Sequence, residues 1–284
     1  MSALKKHFPV FTLITITLNN YSGLQKTYKS IEKQQFEDFE WIVIDGGSTD
    51  ETVDFLRARR SATRSATNPF RFISEEDEGI YDAMNKGIKE ARGRYLLFLN
   101  AGDELAEDDV LKEIFPFTEK KPQLIYGDAL EPENGKDAHP YKKARRYKDL
   151  IWGMITHHQA ILYDRHVIRD KKLHYSLKFE IASDYDFTAR FLQKAKRIIY
   201  FPKPICVFEQ GGLSQQNAFK GRREQYIIRE NLEMVSQPNN LFILTVQTLS
   251  WHLKKLSPTL YYALKGLVFT VTDKRRKKKK IRAD

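Results

Sequence analysis

Three short runs of apolar, largely β-branched residues stand out in the first hundred positions: Thr12 to Leu18 (TLITITL), Glu40 to Ile44 (EWIVI) and Tyr95 to Leu99 (YLLFL). Runs this short and this unbroken predict strands buried on both faces, as in a parallel sheet. Between them lie helical patterns over roughly Gly23 to Gln34, Thr49 to Arg60 and Ile80 to Arg92. Strand and helix alternate, which predicts a doubly wound α/β sheet. Ser48 and Glu51 have capping-box spacing, so the second helix is expected to start near Thr49. Further along, Gln123 to Ala129, Gln159 to Tyr163 and Arg197 to Phe201 read as strands, and Asp184 to Ala195 as a helix.

Residues 131 to 148 are polar and irregular, with Pro132, Asn134, Gly135 and Pro140 followed by Lys142, Lys143, Arg145, Arg146 and Lys148. This predicts a long loop, either solvated or functional. From about Asn217 the chain reads as helical. Leu241 to Val271 is rich in Leu, Phe, Tyr and Trp but is broken by His252, Lys254, Lys255 and Pro258. A spanning helix needs about 20 uninterrupted apolar residues, so this stretch is expected to lie on a membrane rather than cross it.

Composition adds limits. At 284 residues and 41% hydrophobic, the chain suits one large α/β domain with an extension. Net charge is +11, but residues 274 to 284 hold eight Lys or Arg against one Asp, so most of the basicity is local. Such a tail meets an anionic surface, the inner membrane leaflet or nucleic acid, or is simply solvated. The one cysteine, Cys206, makes no intrachain disulfide, and Met1 to Val10 carries no separate apolar leader. The expected location is cytoplasmic, peripheral on the inner face of the cell membrane.

In open α/β sheets ligands bind outside the carboxyl ends of the strands. Asp45 follows WIVI, and Asn100-Ala101-Gly102-Asp103 follows YLLFL. A carboxylate there is costly to bury unless it is paired, hydrogen-bonded or metal-bound, although Asp45 could equally cap the turn at Gly46 and Gly47. The turn after the first strand, Asn19-Asn20-Tyr21-Ser22-Gly23, has no G-x-G-x-x-G, which disfavours an NAD-dependent oxidoreductase. A GxxxxGK[ST] phosphate loop is absent too. No recognised nucleic-acid module accompanies the basic tail, so no nucleic-acid partner is expected. His157 and His158 invite a zinc reading, but neighbours on a strand face opposite ways and no HExxH spacing supports it.

Taken in order, the strand ending at Asn19, the turn IDGGSTDET, the segment from Glu75 to Gly87 (EEDEGIYDAMNKG) and the turn FLNAGD resemble family 2 glycosyltransferases of the GT-A fold. The GIYDAMNKGI wording is similar to the branch building colanic-acid, capsule and O-antigen polysaccharides. The resemblance covers about residues 10 to 215 and implies a GT-A type mixed sheet flanked by helices. Its implied layout is a domain over 1–215 (nucleotide-sugar half 1–104, acceptor half 105–215), a helical, membrane-associating extension over 216–273 and a polybasic tail over 274–284.

The resemblance implies an inverting enzyme that moves a sugar from a nucleotide-sugar, a UDP-sugar by preference, to a polyprenyl-diphosphate-linked glycan. Asp45 matches the family's nucleobase contact. Thr17, Asn19, Gly46, Asp77, Asp82, Asn85, Lys86, Asn100 and Ala101 match its donor-binding positions. Asp103 matches the last acid of a metal turn, usually Asp-x-Asp-Asp, that binds Mg²⁺ or Mn²⁺; here Asn100 and Gly102 replace the first two acids. Asp184, in Ser183-Asp184-Tyr185-Asp186, matches the general base, and His158 and Gln159 an acceptor-side pair. Gly211-Gly212-Leu213-Ser214 reads either as a flexible loop that closes near the donor phosphates or as a plain turn. The other readings are a nucleotide-binding α/β protein of another class, such as an oxidoreductase, and a polybasic nucleic-acid or membrane binder.

Overall fold

The computed structural model describes residues 8–62, 69–132 and 140–257. The chain divides into two compact units, residues 1–217 and 218–284.

In the first unit the apolar runs become β1 (Phe11–Thr17), β2 (Phe39–Asp45) and β4 (Tyr95–Phe98), each buried along its whole length. Joining them are α1 (Tyr21–Glu32), α2 (Thr52–Ala62), β3 (Phe70–Ser74) and α3 (Ile80–Glu90). Then follow β5 (Glu104–Leu105), α4 (Val110–Thr118), β6 (Leu124–Leu130), β7 (Tyr141–Lys142), β8 (Ile161–Asp164), α5 (Arg165–Asp170), α6 (Ser183–Lys194), β9 (Ile198–Val207) and α7 (Leu213–Gln216). The described strands form one nine-stranded mixed sheet in the order β3-β2-β1-β4-β8-β6-β9-β5, with β7 beside β6. This is the mixed sheet expected of a GT-A fold.

Register places the site. The parallel strands β1, β2 and β3 end together, Thr17 beside Asp45 and Asp45 beside Ser74. Antiparallel β8 pairs Leu162 with Leu97 of β4, so the residues just before β8 lie beside those just after β4. In the same way β5 pairs Glu104 with Val207 of β9, which carries residue 209 back to the turn before β5. Under this edge one core cluster, including Leu13, Val43, Leu97, Leu111, Ile125 and Leu162, packs the sheet. Each such fully buried side chain is worth about 1.5–3 kcal/mol relative to exposure, so the strand ends rest on a stiff base.

Three local expectations are corrected. The capping box at Ser48 does not form, because the Ser48 hydroxyl bonds to Asp45; α2 starts at Thr52, whose N–H bonds to Asp50. Gln159, expected to open a strand, lies instead in a 3-10 turn spanning His158–Ala160, ahead of β8. The loop expected over 131–148 contains the short strand β7, and residues 133–139 lie outside the described residues.

In the second unit α8 (Ala218–Asn231) packs against α9 (Gln237–Leu256). Asn240 joins them, accepting a hydrogen bond from Arg229 Nε at 2.6 Å and donating to the Tyr226 carbonyl at 2.9 Å. No described helix is long and apolar enough to cross a membrane. The polybasic tail lies outside the described residues.

Candidate active site

Asp45 closes β2 with no exposed surface. Its carboxylate accepts from the Ser48 N–H (3.1 Å), the Ser48 hydroxyl and the Ser74 hydroxyl (2.7 Å). Three donors meet about four lone-pair sites, so the group is nearly saturated from its own turn and the adjacent strand. Asn19, in the left-handed region at φ 49°, pins this turn: its N–H donates to Ser48 Oγ and its side-chain oxygen accepts from the Thr49 N–H. The buried Thr17 hydroxyl next to Asp45 has no hydrogen-bond partner among the described residues.

The Asn100–Asp103 turn is held by α1. Asn20 caps that helix through the Gly23 N–H and reaches the Ala101 carbonyl at 3.1 Å. The Thr27 hydroxyl accepts from the Gly102 N–H at 3.0 Å and donates to the Asp103 carbonyl at 2.7 Å. Gly102 turns at φ 106°, a conformation L side chains rarely adopt, and a Cβ there would stand 1.8 Å from Glu209 Oε2.

Asp103 is 3% exposed. Its carboxylate accepts from Gln159 Nε2 at 2.8 Å and from the Glu209 N–H at 2.9 Å. Burial pushes its pKa up to about 6, against the pull of those two donors and of nearby His158, while the Glu209 charge adds to the rise. Beside it, Gln159 Oε1 and Asn100 Oδ1 are buried without a hydrogen-bond partner among the described residues. Orphaned amide oxygens next to a carboxylate are the hard donors that Mg²⁺ and Mn²⁺ prefer. Among the described residues no group of three or more His, Cys, Asp or Glu could hold a metal. Asp103 and these amide oxygens are a small all-oxygen donor set of the kind such a cation accepts.

Asp184 enters from the first turn of α6. Its Oδ1 accepts from the Tyr185 N–H at 2.7 Å, and its Oδ2 lies 3.7 Å from His158 Nδ1. The side chain is 23% exposed, so the carboxylate is reachable from solvent. Asp103, Gln159, His158 and Asp184 thus form one continuous group. Asp186 points elsewhere, in an ion pair with Arg190 at 2.6 Å.

The GIYDAMNKG segment becomes α3. Asn85 uses both ends of its amide on the Tyr175 backbone, at 2.7 and 2.9 Å, and Tyr81 donates to the Ile181 carbonyl at 2.8 Å. Tyr175 stacks between Tyr81 and Phe187 of α6, with ring centroids 5.7 and 4.3 Å away. These contacts fix the segment leading into Asp184. Lys86 reaches Asp77 (2.6 Å), Glu75 (2.9 Å) and Asp82 (3.5 Å), so its positive charge is already answered by three acids. Asp82 also accepts from the Glu78 N–H at the helix start. Gly46 brings the Asp45 turn against this group, since a Cβ there would stand 3.0 Å from Asp77 Oδ2.

Two acids escaped the sequence reading. Glu131 contacts His157 at 2.7 Å and Lys142 at 2.6 Å, which, with His157 first, hold its pKa down to about 2. His157 lies flat on Phe208, 3.9 Å between centroids. Glu209 pairs with Lys26 at 3.2 Å. Its position just before Gly211 and Gly212 was the one available signal. Of the basic loop, Arg145 donates to the carbonyls of Gly153 and Met154 and Arg146 pairs with Asp149, so both are structural rather than free.

The sequence profile of Glycosyl transferase family 2 matches residues 12–185. The PGL/p-HBAD biosynthesis glycosyltransferase of Mycobacterium bovis (strain BCG / Pasteur 1173P2) is 34% identical over 211 residues, 72% of this chain and 79% of that protein. The fold is similar to that of S. aureus TarS 1-349 solved in complex with UDP (TM-score 0.63, 20% identity, 86% of this chain and 72% of that one). It is also similar to the mannosyltransferase PcManGT from Pyrobaculum calidifontis, solved with GDP-Man and Mn2+ (TM-score 0.60, 14% identity, 94% and 81% covered). The chain belongs to glycosyl transferase family 2 and is a glycosyltransferase that takes its sugar from a nucleotide-sugar donor.

Proposed function

We propose that this chain is an inverting transferase that moves a sugar from a UDP-sugar to a polyprenyl-diphosphate-linked glycan of a surface polysaccharide, of the colanic-acid, capsule or O-antigen kind. The observation supporting this reading is the link from Asp103 to Gln159 and from its neighbour His158 to Asp184, which connects the acid assigned to the donor side with the assigned base through two consecutive residues. Asp184 Oδ2 takes the proton of the acceptor hydroxyl. The freed oxygen attacks the anomeric carbon from the face opposite the diphosphate, and the departing bond's electron pair stays on the phosphate oxygen, inverting the centre. Asp184 Oδ1, held by the Tyr185 N–H, keeps the carboxylate oriented.

On the donor side Asp45 accepts the uracil imide N–H, which requires the Ser48 or Ser74 hydroxyl to yield, because the carboxylate has no exposed surface. Thr17 offers its partnerless hydroxyl, and Gly46, Asn100 and Ala101 line the approach. Asn19, Asp77, Asp82, Asn85 and Lys86 hold the surrounding turns and helix. Asp103 would hold Mg²⁺ or Mn²⁺, which would neutralise charge on the leaving diphosphate. His158, beside Asp184, faces the acceptor, whereas Gln159, expected as its acceptor-side partner, is bonded to Asp103 instead.

The test is turnover of a UDP-sugar panel with a lipid-linked acceptor. Asp184→Asn should lower turnover by about 10²–10⁴-fold while UDP binding by calorimetry stays at the wild-type level. Unchanged turnover would sink the base assignment.

The second unit supports a peripheral site of action. Leu241, Phe242, Leu249 and Leu256 of α9 are each more than half exposed. Apolar side chains on a helix followed by a polybasic sequence suit an anionic membrane surface. Phe242→Asp with Leu249→Asp should abolish flotation with vesicles of anionic phospholipid; flotation at the wild-type level removes this reading.

A further inference from the structure

The Asn100–Asp103 turn lacks the two acids its family usually places there, yet the space they would fill is not empty of charge. A Cβ on Gly102 would stand 1.8 Å from Glu209 Oε2 and 2.5 Å from Glu209 Cδ. The carboxylate of Glu209 therefore occupies the volume that a side chain at position 102 would enter. It arrives there because β9 pairs with β5, Val207 opposite Glu104, so the chain leaving β9 runs back along the turn. The Glu209 N–H then closes on Asp103 Oδ1 at 2.9 Å, joining the two acids through one backbone unit.

We propose that Glu209 supplies the second carboxylate of the divalent-cation site, taking over from across the fold the place of the acid missing at Gly102. The proposal rests on the nucleotide-sugar reading above, since the cation would share its ligands with the donor diphosphate. Two independent observations point to a cation rather than to an incidental pair of acids. Gln159 is 2% exposed, and its Oε1 has no partner among the described residues although the same amide's Nε2 is bonded to Asp103. Asn100 Oδ1, from the same turn, is likewise buried and without a partner. Asn100 and Asp103 belong to this turn, Gln159 and Glu209 are each bonded to Asp103, and their side-chain oxygens are hard donors of the kind that suit Mg²⁺ or Mn²⁺ once phosphate oxygens complete the set.

The carboxylate of Glu209 already carries a cation, the Lys26 ammonium at 3.2 Å. Both partners are largely exposed, at 56% and 40%, and an ion pair so placed contributes little. Exchange of the ammonium for a divalent ion therefore costs little, and Lys26 is released toward solvent or toward the phosphates. Gly102 is then required for a reason besides its φ of 106°: any side chain there would evict the replacement acid.

The experiment is a Mn²⁺ titration of the full chain, read by the electron paramagnetic resonance signal of free Mn²⁺, with and without UDP. Glu209→Gln keeps the shape of the side chain and the backbone N–H to Asp103, and should weaken Mn²⁺ uptake at least about tenfold. Lys26→Ala should bind Mn²⁺ as tightly as wild type or more tightly. Equal uptake by wild type and Glu209→Gln overturns the proposal, as does a loss in Lys26→Ala as large as that in Glu209→Gln. UDP binding without metal, by calorimetry, separates the two levels. If wild type fails to bind UDP, the donor reading fails, and the titration without nucleotide still compares Glu209→Gln with wild type.

Discussion

Asp45 and Asp103 each follow a buried strand at the same edge of the sheet, yet the two carboxylates are kept in opposite ways. Asp45 draws two of its three donors from Ser48 in its own turn and the third from Ser74 at the end of the neighbouring strand. Asp103 depends on Gln159 and Glu209, 56 and 106 residues away. The first is a local device that forms with its turn. The second exists only once β8 and β9 have paired, and it leaves the carboxylate short of donors, with its pKa pushed up to about 6 by burial. An under-satisfied acid at a strand end is one that a cation can complete, whereas a saturated one must first release a partner.

The largest effect expected from this contrast is in stability against pH. The folded-state pKa of Asp103 is raised above its ordinary 3.8, so the folded metal-free protein binds more protons than the unfolded chain between those values. Stability then falls as pH climbs from about 4 to about 6 and stays lower above that. Asp103→Asn removes this slope. Its oxygen can still accept from the Glu209 N–H, and its amide can donate to Gln159 Oε1 if that side chain rotates, so the hydrogen bonding is conserved. At pH 8 the variant should be more stable than wild type by up to about 3 kcal/mol, and at pH 4 nearly equal. Urea midpoints measured at both values without metal check this. A variant equally destabilised at both breaks the comparison.

The same contrast explains how much could be read from the sequence. β1, β2 and β4 were legible because each is a continuous apolar run buried on both faces. Asp45 and Asp103 were legible as the polar residues that end such runs. β3 escaped because its FRFIS pattern is only partly buried, and β5 and β7 because two residues carry no periodicity. Ser48 was read as a helix cap, and it failed in that role because a buried carboxylate three residues back is the stronger acceptor for its hydroxyl. The strand pattern runs from Gln159 to Tyr163, but Gln159 lies in a 3-10 turn, because its side chain is drawn to Asp103. For Glu209 the only signal was its place just before Gly211 and Gly212: its meeting with Gly102 follows from a sheet register that no local pattern encodes.

The two turns also differ in the glycine each carries at the point of closest approach, and that difference sharpens the comparison at smaller cost. At Gly102 the backbone itself excludes a side chain, with φ at 106°, a strain worth about 1–3 kcal/mol for any other residue. The clash with Glu209 adds little to stability, because its carboxylate ends a flexible, 40% exposed side chain that can swing away. Gly102→Ala should therefore lower the urea midpoint by that backbone cost and, by expelling Glu209, weaken Mn²⁺ uptake as Glu209→Gln does. At Gly46 no such φ applies, and a Cβ would meet Asp77 Oδ2 at 3.0 Å, a contact relieved by a few tenths of an ångström. Gly46→Ala should cost less than about 1 kcal/mol and leave Mn²⁺ uptake unchanged. Because Asp77 is held by Lys86 at 2.6 Å, the small shift passes into that ion-paired group and not into the Asp103 turn. If the two alanine variants prove equally damaging to Mn²⁺ uptake, the turns are coupled, and the contrast between a self-sufficient Asp45 and a fold-assembled Asp103 does not hold.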